Sequence, residues 1–230
     1  TLGDYDKVIE HSDAIIGGGY SLVADYDDLW DVNSNGNENL SESIFEINCY
    51  DWGSGGNWGI QMFAGTDWKK FCTPSNDLIR AFDAEGDDVR KNAAVKFSDV
   101  TGKWTDKYWT VAEYPFINKF RDFSGAQNII MIRLADILLL KAEALAETGD
   151  ITGAMTLVNQ VRDRVGLDPK SAANLDEARL IVENERRLEL AFEGHRWFDL
   201  HRNGRVQAVM SKVKDGKLQN LNYTIADYKL

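Results

Sequence analysis

The sequence predicts a mostly α-helical fold, in which a helical scaffold supports a loop-rich, ligand-binding region with a few short strands. Residues 128–204 carry helical apolar periodicity that is interrupted by capping signals. By contrast, Tyr50–Thr73 holds five glycines and six aromatic residues and has no helical period. We therefore divide the chain into the end of a helical repeat (1–19), a loop-rich ligand-facing region (20–127) and the helical scaffold (128–204).

Composition and charge narrow the class of protein. The chain has 230 residues, of which 43% are hydrophobic, so it is long enough to bury a substantial core. The formal net charge of −11 makes the surface repel phosphate backbones, and we expect no nucleic-acid partner. Seven tryptophans exceed what an ordinary core needs, so we expect some of them to be exposed and used for binding.

The residue types that hold metals and cofactors are sparse. His11, His195 and His201 are not at metal-ligand spacing, and we expect no metal site and no cofactor. Cys49 and Cys72 are interpreted as two separate thiols, with a disulfide in an oxidising compartment as the alternative. No apolar run is long enough to cross a membrane, and no signal peptide stands at the start of the chain.

In the first half of the chain, short elements alternate with turns. The pattern predicts a helix over Leu2–Ile16 that ends at Gly17, and a loop over Asn33–Asn37. Ser43–Cys49 alternates like a strand, and Pro74–Ala84 is typical of a helix capped by Ser75. Further strand-like pieces are centred on Val95–Phe97, Tyr108–Val111 and Phe116–Ile117.

In the second half, three helices are predicted. The first begins at Asn128 and ends near Thr148, where Gly149 and Asp150 are suited to end one helix and cap the next. The second runs to Val165, and the short joint makes the pair antiparallel. The third is predicted over Leu175–Leu200, with Asn174 and Glu177 as a capping box.

Three segments in this helical part carry a resemblance to a known family. They are Met131–Ala144, Val158–Gly166 and Glu185–Leu200, the last containing Glu-Arg-Arg followed by Glu-Gly-His-Arg-Trp-Phe-Asp-Leu. Together they resemble the SusD/RagB family, and weaker similarity extends over Ser43–Ile47 and Asp77–Arg90. The helical hairpin made by the first two segments also has the look of a tetratricopeptide unit.

The resemblance implies a function and a location. It implies a glycan-binding lipoprotein without catalytic activity, which sits at the bacterial outer-membrane surface over a TonB-dependent SusC-like transporter and delivers oligosaccharide or polysaccharide to it. Members of the family have a longer N-terminal region with a lipid-modified Cys, and they usually continue further at the C-terminus. We therefore expect this chain to be the C-terminal portion of such a protein, incomplete at both ends and without its lipid anchor.

The aromatic loop is the candidate glycan site. Aromatic faces pack against the C–H patches of sugar rings, and flanking polar side chains bond hydroxyls, so a neutral polymer can bind without charge complementarity. The alternative is that these aromatic residues form a small core that pins a long loop. The candidate residues are Tyr50, Asp51, Trp52, Asn57, Trp58, Gln61, Phe63 and Trp68.

Two other clusters are interpreted as structural. Strand packing is the role expected for the second aromatic group, Trp104, Tyr108, Trp109 and Tyr114. The charged string Glu185–Arg196 and the charges on the helix after Asn128 are expected to form a buried ion-pair network between helices.

Two other functions compete with glycan binding. A glycoside hydrolase needs two carboxylates across a cleft. Asp51, Asp67 and Glu46 are candidate carboxylates, although nothing in the sequence singles out a pair. A protein-interaction scaffold would instead use the helical hairpin to hold a helix or tail of another protein. Retention of sugar binding after loss of the loop tryptophans would count against the site assignment.

Overall fold

Over the residues that it describes, the computed structural model contains a helical scaffold and three two-stranded ribbons. No helix within the described part of the chain is long and apolar enough to span a bilayer. The structure describes residues 3–32, 38–63, 72–105 and 112–210, and the backbone of 213–214 and 217–218.

The mostly α-helical fold class is confirmed. Within the described residues the helices are α1 (Tyr5–Ile16), α2 (Gly59–Phe63), α3 (Asn76–Glu85), α4 (Asp88–Ala94), α5 (Leu134–Glu147), α6 (Ile151–Arg164), α7 (Leu175–Glu189), α8 (Arg196–Arg202) and α9 (Val206–Met210). The strands are β1 (Ser43–Ile47), β2 (Val95–Asp99), β3 (Glu113–Ile117), β4 (Ile129–Arg133), β5 (Val213–Lys214) and β6 (Lys217–Leu218). A 3-10 turn covers Tyr26–Leu29.

The helices α5 and α6 form the predicted hairpin. Gly149 has φ +96°, a conformation that favours glycine, and it reverses the chain after α5. Asp150 then caps α6 by accepting a hydrogen bond of 2.8 Å from the Gly153 N–H. The crossing buries alanine, leucine and valine side chains, against which α1 and α7 also pack.

The strands pair as β1 with β4, β2 with β3 and β5 with β6, all antiparallel. The prediction of a helix from Asn128 is therefore wrong over its first six residues, because Ile129–Arg133 form β4 and the helix begins at Leu134. The physical reason is that these residues are mostly β-branched isoleucines, which suit a strand, and that β1 is available as a partner.

The single helix predicted over Leu175–Leu200 is also wrong. α7 ends at Glu189, and α8 begins at Arg196. Between them Phe192 has φ +67° and Gly194 has φ +88°, which a right-handed helix does not allow. At the start of α7 the predicted Asn174 cap is confirmed, since its Oδ1 accepts a 3.0 Å bond from the Glu177 N–H.

Three short helices of the described chain were not predicted: α2 within the glycine-rich stretch, α4 before β2, and α9 after α8. The predicted helix after Pro74 is confirmed, with Ser75 Oγ accepting a 3.1 Å bond from the Leu78 N–H. The predicted loop over Asn33–Asn37 and the strand-like Tyr108–Val111 lie outside the described residues. The two cysteines are free thiols.

The predicted network of buried ion pairs is confirmed. Arg133 is almost fully buried at the junction of β4 and α5, and it pairs with Glu42 at 2.7 Å, Glu189 at 2.5 Å and Glu193 at 2.7 Å. Coulombic attraction from Glu193 and Glu189 raises the pKa of Arg133 although burial opposes it. The family-like charged string is therefore structural.

The same network reaches the shorter elements. Arg90 of α4 is buried and pairs with Asp87 at 2.5 Å, Glu185 at 2.6 Å and Glu189 at 3.0 Å. Arg162 of α6 also pairs with Glu185, at 2.9 Å. Glu185 and Glu189 of α7 thus each join cations from different elements, so the network ties α4 and β4 to the helical scaffold.

The structural interpretation of the second aromatic cluster is confirmed where it is described. The rings of Trp104 and Tyr114 meet edge to face with centroids 4.6 Å apart, and Phe116 completes the group. Tyr108 and Trp109 lie outside the described residues. The division of the chain at residues 19/20 and 127/128 stays a prediction.

Candidate glycan-binding surface

The candidate site lies at one end of the β1–β4 ribbon. The stretch that begins at Tyr50 follows β1, and residues 118–127, here called the adjoining loop, lead into β4. Asn128 joins the two at the ribbon end, because its Oδ1 accepts a 2.9 Å bond from the Cys49 N–H and its Nδ2 donates to Asn48 at 3.2 Å. Strand pairing therefore places two loops side by side that are about 70 residues apart in sequence.

Trp52 is anchored between these two loops. Its indole Nε1 donates a 2.9 Å hydrogen bond to the main-chain oxygen of Phe123. A Cβ atom at Gly56 would lie 2.7 Å from the indole, and one at Gly125 would lie 2.9 Å from it. Since real Cβ atoms do not approach so closely, both positions require glycine for the indole to sit where it does.

Four aromatic side chains remain accessible around this anchor. Trp58 is 67% exposed, Tyr50 is 60%, Phe123 is 64% and Trp52 is 39% exposed. The rings of Trp52 and Trp58 meet edge to face, with centroids 5.3 Å apart and planes at 65°. We call Tyr50, Trp52, Trp58 and Phe123 the aromatic surface. Large exposed aromatic groups on a fixed backbone are typical of binding sites.

Asn57 is placed differently from these rings. Its side chain is buried, its Nδ2 donates a 2.9 Å bond to the Gln127 main-chain oxygen, and its Oδ1 accepts a 2.8 Å bond from the Gly59 N–H. Both ends of the amide thus bond the backbone. Asn57 consequently supports the backbone of the two loops, and its amide already has protein hydrogen-bond partners.

The remaining candidates are divided between surface and interior. Asp51 is exposed, and its Oδ1 accepts a 2.9 Å bond from the Gly53 N–H in a turn. Gln61 and Phe63 are half-buried on α2, where Phe63 packs against Phe120 with centroids 5.5 Å apart. Trp68 lies outside the described residues.

The carboxylates considered for hydrolysis were Asp51, Asp67 and Glu46, and two hydrogen bonds hold Glu46 at the ribbon. Glu46 Oε2 accepts a 2.9 Å bond from Asn128 Nδ2, and Glu46 Oε1 accepts a 3.0 Å bond from the Asn39 N–H. Asp67 lies outside the described residues. The structure therefore shows a structural role for Glu46 at the ribbon.

The adjoining loop is the part of the site that sequence reasoning missed. Asp122 accepts bonds from the Ser124 N–H at 2.7 Å, the Ser124 hydroxyl at 2.6 Å and the Ala126 N–H at 3.1 Å. Burial raises the pKa of Asp122, but these hydrogen bonds outweigh it and lower that pKa overall. The Asp-x-Ser-Gly pattern was the available signal, because it predicts a tight turn that exposes its second residue, Phe123.

This arrangement is suited to a neutral, ring-bearing ligand. Exposed aromatic rings offer stacking faces, and the exposed Asp51 offers a hydrogen-bond acceptor beside them. The fold and this surface together define a class of protein: a helical scaffold that presents exposed aromatic side chains on loops. The model of the SusD family matches residues 62–229, and the chain belongs to that family.

Curated relatives agree with this assignment. SusD-like protein P38 of Formosa agariphila is 43% identical over 95 residues, covering 37% of this chain and 19% of that protein. SusD-like protein P2 of the same organism is 28% identical over 88% of this chain and 48% of that protein. The chain therefore spans less than half the length of these two relatives.

Solved structures share the fold. A structure of surface glycan-binding protein A from Bacteroides thetaiotaomicron in complex with laminarihexaose superposes with a TM-score of 0.68 at 23% identity, over 94% of this chain and 54% of that one. A laminarin-binding SusD-like protein superposes with a TM-score of 0.63 at 26% identity, over 93% of this chain and 54% of that one.

Proposed function

We propose that this chain is the glycan-facing part of a non-catalytic protein that binds oligosaccharide or polysaccharide at the bacterial cell surface. The observation that carries the proposal is the aromatic surface, in which the largely exposed Trp58 ring lies against a Trp52 indole anchored by both loops. An anchored ring is ordered before the ligand arrives, so less entropy is lost on binding.

The relatives support this choice of ligand class. One similar structure is named as a surface glycan-binding protein with bound laminarihexaose, and another as laminarin-binding. A β-glucan is accordingly the first ligand to test. Starch and mucin-type glycans are tested beside it, because exposed aromatic faces accept many sugars.

Family membership supports the wider setting of the proposal. We propose that the protein is held on the outer membrane by a lipid anchor. We further propose that it passes the bound sugar to a TonB-dependent SusC-like transporter. Weak binding at the aromatic surface would suffice there, because proximity to the transporter raises the effective concentration of the ligand.

The direct test replaces Trp58 with Ala. In native gels that contain laminarin, soluble starch or mucin, the wild-type chain is expected to be retarded by at least one of the three. Trp58→Ala is expected to weaken binding by about 2 kcal/mol, roughly 30-fold, since it removes an exposed stacking face.

Trp197→Ala is the matched control, because Trp197 is a partly exposed tryptophan on α8, in the helical scaffold. It should leave retardation unchanged. Equal mobility of wild type and Trp58→Ala in every gel would contradict the site, and new reducing ends after incubation with these glycans would contradict the non-catalytic assignment.

A further inference from the structure

The adjoining loop contains no helix or strand, so its main-chain polar groups must find other partners. The buried side chain of Gln127 is the hydrogen-bond partner of three of these main-chain groups. Its Oε1 accepts bonds from the Arg121 N–H at 2.6 Å and the Asp122 N–H at 3.3 Å, and its Nε2 donates to the Lys119 oxygen at 2.7 Å. The side chain thus closes the loop from the inside.

Gln127 also joins this loop to the first one. Its main-chain oxygen accepts the 2.9 Å bond from the Asn57 side chain, while the Asn57 main-chain N–H donates a 2.7 Å bond to the Gly125 oxygen. Gln127 and Asn57 are only 5% and 3% exposed, so water does not compete for these bonds. The two loops are therefore fixed relative to one another.

The fixed loop carries one ring of the aromatic surface, Phe123, and anchors a second, Trp52, from the other loop. Phe123 lies at its exposed turn, and the Phe123 oxygen holds the Trp52 indole. We infer that Gln127 is a positioning residue of the glycan site: it makes no contact with sugar but holds the adjoining loop in the shape that presents Phe123 and anchors Trp52. This inference rests on the proposed function.

The expected effect follows from preorganisation. Without the Gln127 side chain, three main-chain groups lose their partners and the loop samples other shapes. The ligand must then order Phe123 and Trp52 as it binds. Ordering two such side chains weakens affinity by about tenfold.

The experiment measures glycan affinity for the 230-residue chain by retardation in gels of laminarin, soluble starch and mucin, together with unfolding in denaturant. Gln127→Ala is expected to bind about tenfold more weakly under conditions in which it is folded. Gln127→Glu keeps the acceptor for Arg121 and Asp122, but it buries a charge and sets a carboxylate oxygen against the Lys119 oxygen, so its loss should be at least as large as that of Gln127→Ala.

Asn159→Ala is the matched control. Its side chain also bonds main-chain groups twice, to the Lys170 oxygen at 2.9 Å and from the Lys170 N–H at 2.8 Å, but it lies on α6 in the scaffold. It should lower the stability of the fold and leave glycan affinity within about twofold of wild type.

A double-mutant cycle with Phe123→Ala separates positioning from general destabilisation. If Gln127 acts by presenting Phe123, its replacement should cost much less affinity in the Phe123→Ala background. An equal cost in both backgrounds, or wild-type affinity in both Gln127 variants, overturns the inference while the proposed function stands. If none of the three glycans retards the wild-type chain, both the inference about Gln127 and the proposed function are contradicted.

Discussion

At the scale of single residues, Lys119 of the adjoining loop is a buried cation whose contacts change its pKa. Its Nζ donates to Glu193 at 2.6 Å and lies 4.5 Å from the centre of the Trp30 ring and 5.4 Å from that of Tyr26. Burial lowers the pKa of Lys119 to about 8, with Glu193 opposing the shift and Arg133 adding to it.

We predict that this lysine makes stability depend on pH in the alkaline range. The unfolded chain holds the proton up to about pH 10.5, whereas folded Lys119 releases it near pH 8. Between these values the unfolded state binds more protons, so the contribution of Lys119 to the unfolding free energy rises with pH, by at most about 1.4 kcal/mol per pH unit.

Denaturant unfolding of wild type and Lys119→Met from pH 7 to pH 10 measures the effect. The difference between them isolates Lys119 from groups such as Tyr26, whose pKa is raised by burial and which acts in the opposite direction above pH 10. A difference that stays flat over the whole range would show that Lys119 keeps an ordinary pKa.

At the element level, local capping signals decided where three of the predicted helices begin, and non-local strand pairing shifted the start of α5. Ser75, Asp150 and Asn174 each cap the helix that the sequence predicted for them. The residues directly after Asn128 instead form the strand β4, although their pattern is helical, because they pair with β1. Local periodicity does not reveal such a partner.

The break between α7 and α8 gives a test at this scale. Gly194 has φ +88° and nothing lies within 4 Å of where its Cβ would stand, so backbone strain alone opposes a side chain there. Gly194→Ala is expected to lower the unfolding free energy by about 1–2 kcal/mol.

Gly194→Asn is the matched control, since asparagine tolerates the left-handed region better than alanine. It should lose clearly less stability than Gly194→Ala in the same denaturant titration. Equal stability of the alanine variant and wild type would mean that this turn relaxes without cost.

At the scale of the whole molecule, the charge network fixes how the elements meet. Glu189 receives Arg133 from the β4–α5 junction, Arg90 from α4 and Arg164 from α6. Attraction by these three cations lowers the pKa of Glu189 well below its ordinary value although burial opposes it. Removing one partner therefore leaves buried charge without compensation.

We predict that Arg133→Met destabilises the fold by about 3–5 kcal/mol, because Glu42, Glu189 and Glu193 lose their shared partner. Arg179→Met is the control. Arg179 pairs with Glu147 at 2.6 Å, but its side chain is 49% exposed, so its loss should change stability by less than about 1 kcal/mol. Similar losses in both variants, measured by denaturant unfolding, would contradict the central role of the network.

Part of the candidate site could be predicted from sequence. The glycine-rich stretch after β1 identified Tyr50, Trp52 and Trp58, all of which are exposed. Phe123 was missed because its loop joins the site through strand pairing and through bonds from Trp52 and Asn57, which are distant in sequence. Burial of Asn57 was equally invisible, since a short polar residue in a loop suits surface and interior alike.

By itself, the sequence determined the helical class, the caps, the hairpin and the family, because these depend on residues near each other along the chain. Only the tertiary structure shows that two loops about 70 residues apart form one aromatic surface, and that Arg133, Arg90 and Arg164 from different elements meet at Glu189. The physical reason is that pairing and burial are properties of contacts between distant segments, and a local pattern fixes only which side chains are available for them.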